Sequence, residues 1–202
     1  QNDKCIFLLI LMKTISTLCL CFILFFLHSV ILAQTDYAKK NNIKITLLSL
    51  MSGSTKITYE RKILPKQSIE ITGGIIGLGF DFLNHNQSKG FLSRLAYKFI
   101  FPVKNHYPLD GWYVKSELAF SAYTYNHITE KMDIERLAVR RLAIMGVGGY
   151  QMVVKWFVFD VFAGLGIGIG NANLCNYHHG FIGLNPESLL TLTAGFKIGV
   201  AF

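Results

Sequence analysis

The chain has 202 residues, of which 51% are hydrophobic and only 16% charged, with a formal net charge of +8 at pH 7. That length suits one domain, and the composition is greasier than that of an ordinary soluble domain, so some apolar surface is expected to meet lipid. The basic balance is compatible with anionic head groups or polyanions but is better accounted for by solvated loops and barrel rims; no run of Lys and Arg forms a nucleic-acid patch, and no nucleic-acid partner is expected.

The first element is a leader. After Met12 and Lys13 comes TISTLCLCFILFFLHSVILAQ, a positive start, an apolar run and the small residue Ala33 before Gln34. This is the layout of a secretory signal peptide over residues 1–33, with cleavage expected after Ala33 even though Ile31 is larger than ideal. Residues 1–11 read as an over-extended start, because QNDKCIFLLIL adds nothing to a leader already complete. The alternative is a retained helical anchor over 14–33; the flanks fit export better. Cys5, Cys19 and Cys21 leave with the leader, so Cys175 stands alone and the mature chain has no intrachain disulfide.

Residues 34–42 form a short lead-in, and 43–202 read as a barrel. No stretch of 18 residues after Gln34 is free of charge, so the spans are expected to be strands. Eight segments alternate: 43–51, 55–64, 67–82, 90–102, 111–125, 139–153, 156–170 and 188–202. The first, second and sixth are weaker, the first interrupted at Leu47 and Leu48, with turns expected at 52–54, 64–67 and 153–156. In 67–82 the apolar register slips between Ile75 and Ile76, so a bulge is expected near Gly73 and Gly74. In 90–102, Phe91, Leu95, Tyr97, Phe99 and Phe101 oppose Arg94 and Lys98; in 111–125, Trp112, Val114, Leu118 and Phe120 oppose Lys115 and Glu117. The seventh segment sets Phe157, Phe159, Val161, Ala163, Leu165, Ile167 and Ile169 against Asp160 and alternate glycines. The last does the same with Leu190 through Phe202 against Lys197.

An even number of strands suits closure, and in lipid a sheet must close because edge amides find no water. Short and long connections alternate, which puts both termini in the periplasm and the long loops outside. Phe99, Phe101, Trp112, Trp156, Phe157 and Phe202 then form one aromatic girdle, with Phe80, Phe82, Phe91 and Tyr125 near the other.

Facing inward by parity are Glu60, Glu70, Glu117 and Asp160 with Lys56, Lys62, Arg94, Lys98, Lys115 and Lys197. Eight strands enclose a space that side chains nearly fill. A salt-bridged network of Glu60, Arg94, Lys98, Lys115, Glu117, Asp160 and Lys197 is therefore expected, rather than a wide channel.

The mature chain resembles the small eight-stranded outer-membrane β-barrel proteins of the OmpX and OmpA membrane-domain type over residues 42–202. The resemblance is one of strand pattern rather than of a fingerprint motif. It implies an all-β, antiparallel up-and-down transmembrane barrel in the outer membrane, in contact with outer-membrane lipid and lipopolysaccharide. It also implies that Phe196, Ile198, Val200 and Phe202 act as the signal read by the barrel-assembly machinery. An OmpA-like periplasmic domain is not expected within these residues.

Fold specifies function weakly here. The reading that follows is a structural or interaction protein presenting surface loops for envelope integrity, adhesion or evasion of host defence, with any extracellular ligand unspecified. Its alternatives are a barrel enzyme acting on lipid and a narrow pore; a soluble lipocalin-like carrier would have its greasy side inside. In CNYHHGF, Cys175, His178 and His179 fall short of the ligand set of a zinc site. A nucleophile at Ser188 beside Glu187 lacks the His-x-Ser spacing of barrel lipid A deacylases. No catalytic residue, metal or cofactor is assigned, and the histidines are expected to be solvated. The glycines of GLGIGIG alternate inside a strand, where they relieve crowding rather than bind a nucleotide.

Overall fold

The computed structural model describes residues 39–81, 87–103, 107–128, 134–171, 177–184 and 189–202. The expected leader, residues 34–38 of the lead-in, Phe82, Cys175, Glu187 and Ser188 lie outside the described residues.

The elements are β1 (Asn41–Thr46), one helical turn α1 (Leu47–Met51), β2 (Ser52–Leu64), β3 (Gln67–Asp81), β4 (Lys89–Pro102) and β5 (Gly111–Ile128). They continue with β6 (Ile134–Val154), β7 (Phe157–Asn171), the two-residue β8 (Ile182–Gly183) and β9 (Leu190–Ala201). From β1 to β7 each strand pairs antiparallel with the next. β9 pairs with β7 on one side and with β1 on the other, Asn42↔Ala201 through Thr46↔Lys197. β1 to β7 with β9 thus make a closed, eight-stranded, up-and-down barrel, with β8 added beside β9.

Alternation decides which side faces out. Along β4 exposed Phe91, Leu95 and Tyr97 interleave with buried Leu92, Arg94, Ala96 and Lys98, and along β7 exposed Val161, Leu165 and Ile167 lie opposite buried Asp160. Apolar side chains of this size ring the exterior, whereas soluble monomers rarely expose contiguous patches beyond a few hundred Å². Phe101, Trp112, Trp156 and Phe157 are exposed at the end with the short connections, and Phe80 and Phe91 at the other. Inside, Val153, Val158 and Ala201 pack with Tyr107 at the short-turn end, and Ile76, Leu92, Tyr123, Tyr125 and Val139 at the long-loop end. Charge lies between them.

Several expectations are corrected. The first strand ends at Thr46 rather than running to residue 51, because consecutive Leu47 and Leu48 cannot both face outward in a pleated strand. The chain coils instead: Leu48 and Met51 stay outside, Ser49 turns in, and its Oγ donates to the Thr46 carbonyl at 2.6 Å. Ser52–Ser54, expected as a turn, open β2.

The register against β2 and β4 runs without a break through Gly73 and Gly74, so no bulge forms there. Ile76 points inward, and the slip follows at Gly77, whose φ of 96° suits a residue without Cβ. Beyond it Leu78 and Phe80 return to the exterior.

Tyr125 is no girdle residue. It shares parity with Tyr123, and only 4% of it is exposed. β5 and β6 also extend further than expected, pairing out to Ile128↔Ile134, and so project past the length a tilted strand needs to cross a bilayer.

Candidate functional site

The interior is organised around Lys44, placed inward on β1 between outward Ile43 and Ile45. Its fully buried ammonium lies 2.9 Å from Glu60 Oε2, 2.6 Å from Glu70 Oε1 and 2.7 Å from Asp160 Oδ2, and donates to Gln151 Oε1 at 2.9 Å. One cation thus ties β1 to β2, β3, β6 and β7. Lys98 from β4 reaches Glu60 Oε1 at 3.0 Å and Gln151 Oε1 at 2.8 Å, with its ammonium 3.8 Å from the Tyr113 ring centroid.

A second tier sits toward the long-loop end. Lys115 bridges Glu70 Oε2 at 2.6 Å and Glu117 Oε2 at 2.8 Å, and Arg94 Nη1 holds Glu117 Oε1 at 2.7 Å. Lys197 stands 3.3 Å from Glu70 Oε2. Tyr113 donates to Asp160 Oδ1 at 2.5 Å and Ser68 to Glu60 Oε1 at 2.6 Å, so Glu60, Glu70, Glu117 and Asp160 each have both oxygens engaged. Buried carboxylates cost several kcal/mol each unless paired and hydrogen-bonded, and this arrangement meets that condition.

The structure therefore brings Glu60, Arg94, Lys98, Lys115, Glu117, Asp160 and Lys197 into one connected cluster and joins Glu70 to it. Lys62, expected inside, lies at the half-exposed end of β2 and takes no part. Sequence reasoning missed Lys44, Tyr113 and Gln151. Lys44 had a signal: Ile-Lys-Ile in NNIKIT alternates cleanly even though the longer segment does not.

Both ends of the cluster are capped. At the short-turn end Leu109 folds inward, its carbonyl accepting from Gln151 Nε2 at 2.8 Å, and Lys39 donates to the Lys155 carbonyl. At the other end residues 177–183 turn into the mouth as a small hairpin, Tyr177 bridging to Ile182, with Phe181 buried in the core beside Ile100, Tyr113 and Phe162. Arg94 donates to the Gly180 carbonyl, and a Cβ at Gly180 would lie only 2.8 Å from Arg94 Nη2. Glycine lets that turn rest on the guanidinium.

The histidines are buried, contrary to the solvated role expected of them. His178 Nε2 lies 3.3 Å from Arg141 Nη1 and Nδ1 lies 3.1 Å from Tyr123 Oη, which itself donates to the Tyr177 carbonyl at 2.9 Å. Arginine only donates, so Nε2 accepts and Nδ1–H donates to Tyr123. Burial above all, then Arg141 and His179, pushes the His178 pKa down to about 3; burial and then Lys56 push that of His179 down to about 4. Both are therefore neutral near neutral pH. Among the described residues no three His, Cys, Asp or Glu side chains are placed to hold a metal.

A cavity of about 30 Å³ among Lys56, Thr72, Arg94, Phe162 and Lys197 lies inside the barrel, room for about one water. The arrangement supports a pinned, charge-locked interior rather than an aqueous bore.

No family model and no curated protein matches the chain. Among solved structures it is similar to the N-terminal β-barrel domain of Pseudomonas aeruginosa OprF, at 10% identity and a TM-score of 0.45 over 81% of this chain and 98% of that one. It is likewise similar to Neisserial surface protein A (NspA), at 10% identity and a TM-score of 0.43 over 81% of this chain and 95% of that one. The pairing of β1 with β9 and the alternation of side chains make the described chain a closed eight-stranded β-barrel, apolar outside and ionic within.

Proposed function

We propose that this chain is an integral outer-membrane protein whose sealed barrel anchors surface loops, with a structural or interaction role in the envelope. One observation carries the reading: the outward side chains are apolar all round the wall, while the carboxylates are enclosed and paired with lysine and arginine. The inverse arrangement would suit a water-soluble carrier. The short connections at 65–66 and 155–156 lie at the end where β1 begins and β9 finishes, which favours periplasmic termini and an outer face built from the long β5–β6 hairpin and the residue 172–189 link. The partners of this reading are outer-membrane lipid and lipopolysaccharide. The barrel-assembly machinery would read the last strand through Phe196, Ile198, Val200 and Phe202. The capped lumen favours an anchor over a narrow pore, and the buried, neutral histidines favour it over a lipid-cleaving enzyme.

The test is electrophoretic mobility of unheated and boiled protein in detergent, paired with membrane fractionation and protease treatment of intact cells. A compact species lost only on boiling, recovered with outer membranes and clipped from outside between β5 and β6, is the expected result. A protein that runs identically in both states and fractionates with soluble contents would refute the proposal.

A further inference from the structure

Because β1 stops at Thr46, it covers only Lys197–Ala201 of β9. The rest of that edge is met by β8 alone, through Ile182↔Leu192 and Gly183↔Thr191. The barrel wall is therefore thin between α1 and β9. A cleft of about 630 Å³ opens there, within the size range of small-molecule sites.

Its outer lining is apolar: Leu48, Met51, Ile182 and Leu192 are each between 40% and 55% exposed on the barrel exterior. Its inner lining includes Lys56 and His179, which are 6% and 2% exposed. Among the described residues Lys56 stands in no salt bridge, the carboxylates nearby being held by other cations, and His179 Nδ1 is buried without a partner. Lys56 also lines the 30 Å³ cavity, together with Arg94 and Lys197. The neighbouring anion, Glu117, is already held by Arg94 and Lys115. A buried ammonium without a counter-ion is costly, and an arriving anion would offset that cost.

We propose that this cleft is a lateral binding site for a single-chain anionic amphiphile, a long-chain carboxylate whose head group pairs with Lys56 while its chain runs out past Leu48, Met51, Ile182 and Leu192 into the membrane. The cavity behind Lys56 has room for about one water, so the head group stays at the inner end of the cleft, which favours a compact carboxylate over a bulkier glycerophosphate. The inference rests on the membrane reading, since the apolar mouth faces acyl chains only if the wall is embedded.

The experiment uses the full mature chain in non-ionic detergent, with cis-parinaric acid as fluorescent probe and palmitate, hexadecanol and palmitoyl lysophosphatidate as competitors. Palmitate should displace the probe about tenfold better than hexadecanol, as a charge-assisted contact implies. Lys56→Gln should remove that advantage while leaving hexadecanol unchanged, Lys56→Arg should restore it, and Leu192→Trp should block both competitors by filling the mouth. Heat-dependent mobility of each variant shows whether the barrel is intact; should Lys56→Gln not fold, the wild-type comparison and Leu192→Trp decide the matter. Equal displacement by palmitate and hexadecanol overturns the proposal, as does stronger displacement by the lysophosphatidate. A folded, membrane-inserted barrel that binds no probe overturns it too, while the membrane reading stands.

Discussion

Replacing Lys44 by methionine isolates the contribution of the central cation. The substitution keeps the side-chain length and removes one charge that touches Glu60, Glu70 and Asp160 at 2.6–2.9 Å. Glu60 keeps Lys98 at 3.0 Å and Glu70 keeps Lys115 at 2.6 Å, but Asp160 is left with the Tyr113 hydroxyl and, among the described residues, no cation in salt-bridge contact. Deleting one partner of a buried pair costs about 3–5 kcal/mol, so Lys44→Met should destabilise the barrel by that amount. Lys197→Met, which removes a single 3.3 Å contact from a Glu70 that keeps three other lysines, should cost only about 1 kcal/mol. Adding Asp160→Asn to Lys44→Met should return part of the loss, because the carboxylate left behind becomes a neutral amide. The assay is urea unfolding of the refolded barrel in lipid vesicles, followed by the fluorescence of exposed Trp112 and Trp156. A Lys44→Met barrel within about 0.5 kcal/mol of the parent, the range of an ordinary surface change, would refute the assignment of Lys44 as the hub.

Two further outcomes follow from the geometry. A Cβ at Gly77, at φ 96°, would stand 2.7 Å from the Ser88 carbonyl, whereas at Gly73 it meets nothing within 4 Å; Gly77→Ala should cost about 1–3 kcal/mol and Gly73→Ala almost nothing, both read from the same unfolding curves. His178 binds its proton near pH 6.5 when released but only near pH 3 in place, so the hold on residues 177–183 should weaken steadily as pH falls through that window and level off below it. Hydrogen-exchange protection factors of that segment, taken relative to the intrinsic rate at each pH, should fall between pH 6.5 and about 4, His178→Gln should blunt the response, and adding His179→Gln should abolish it; protection factors indifferent to pH in the parent would sink this account.

How far these features were legible varies with their physical origin. Alternation is local, so β4, β5, β7 and β9 and the inward set Arg94, Lys98, Lys115, Glu117, Asp160 and Lys197 could be read residue by residue. The same parity would have placed Tyr125 beside Tyr123 in the interior. The slip in β3 was visible as a change of apolar phase, yet its position was not, because four glycines lie close together and only the φ angle tells which one turns. Lys44 was hidden by Leu47 and Leu48, which disturb the pattern just beyond it.

By itself the sequence determined a two-faced sheet with too much grease for water on one side and too many ions for lipid on the other, and only closure satisfies both. Strand parity carries that information because successive side chains must alternate. The tertiary structure alone decided which ion meets which, that residues 177–183 turn inward to bury two histidines, and that β1 ends early enough to leave the wall thin beside Lys56. Those outcomes depend on contacts between residues more than a hundred positions apart, such as Lys44 with Asp160, and on how long loops fill a confined mouth. Neither is set by local pattern.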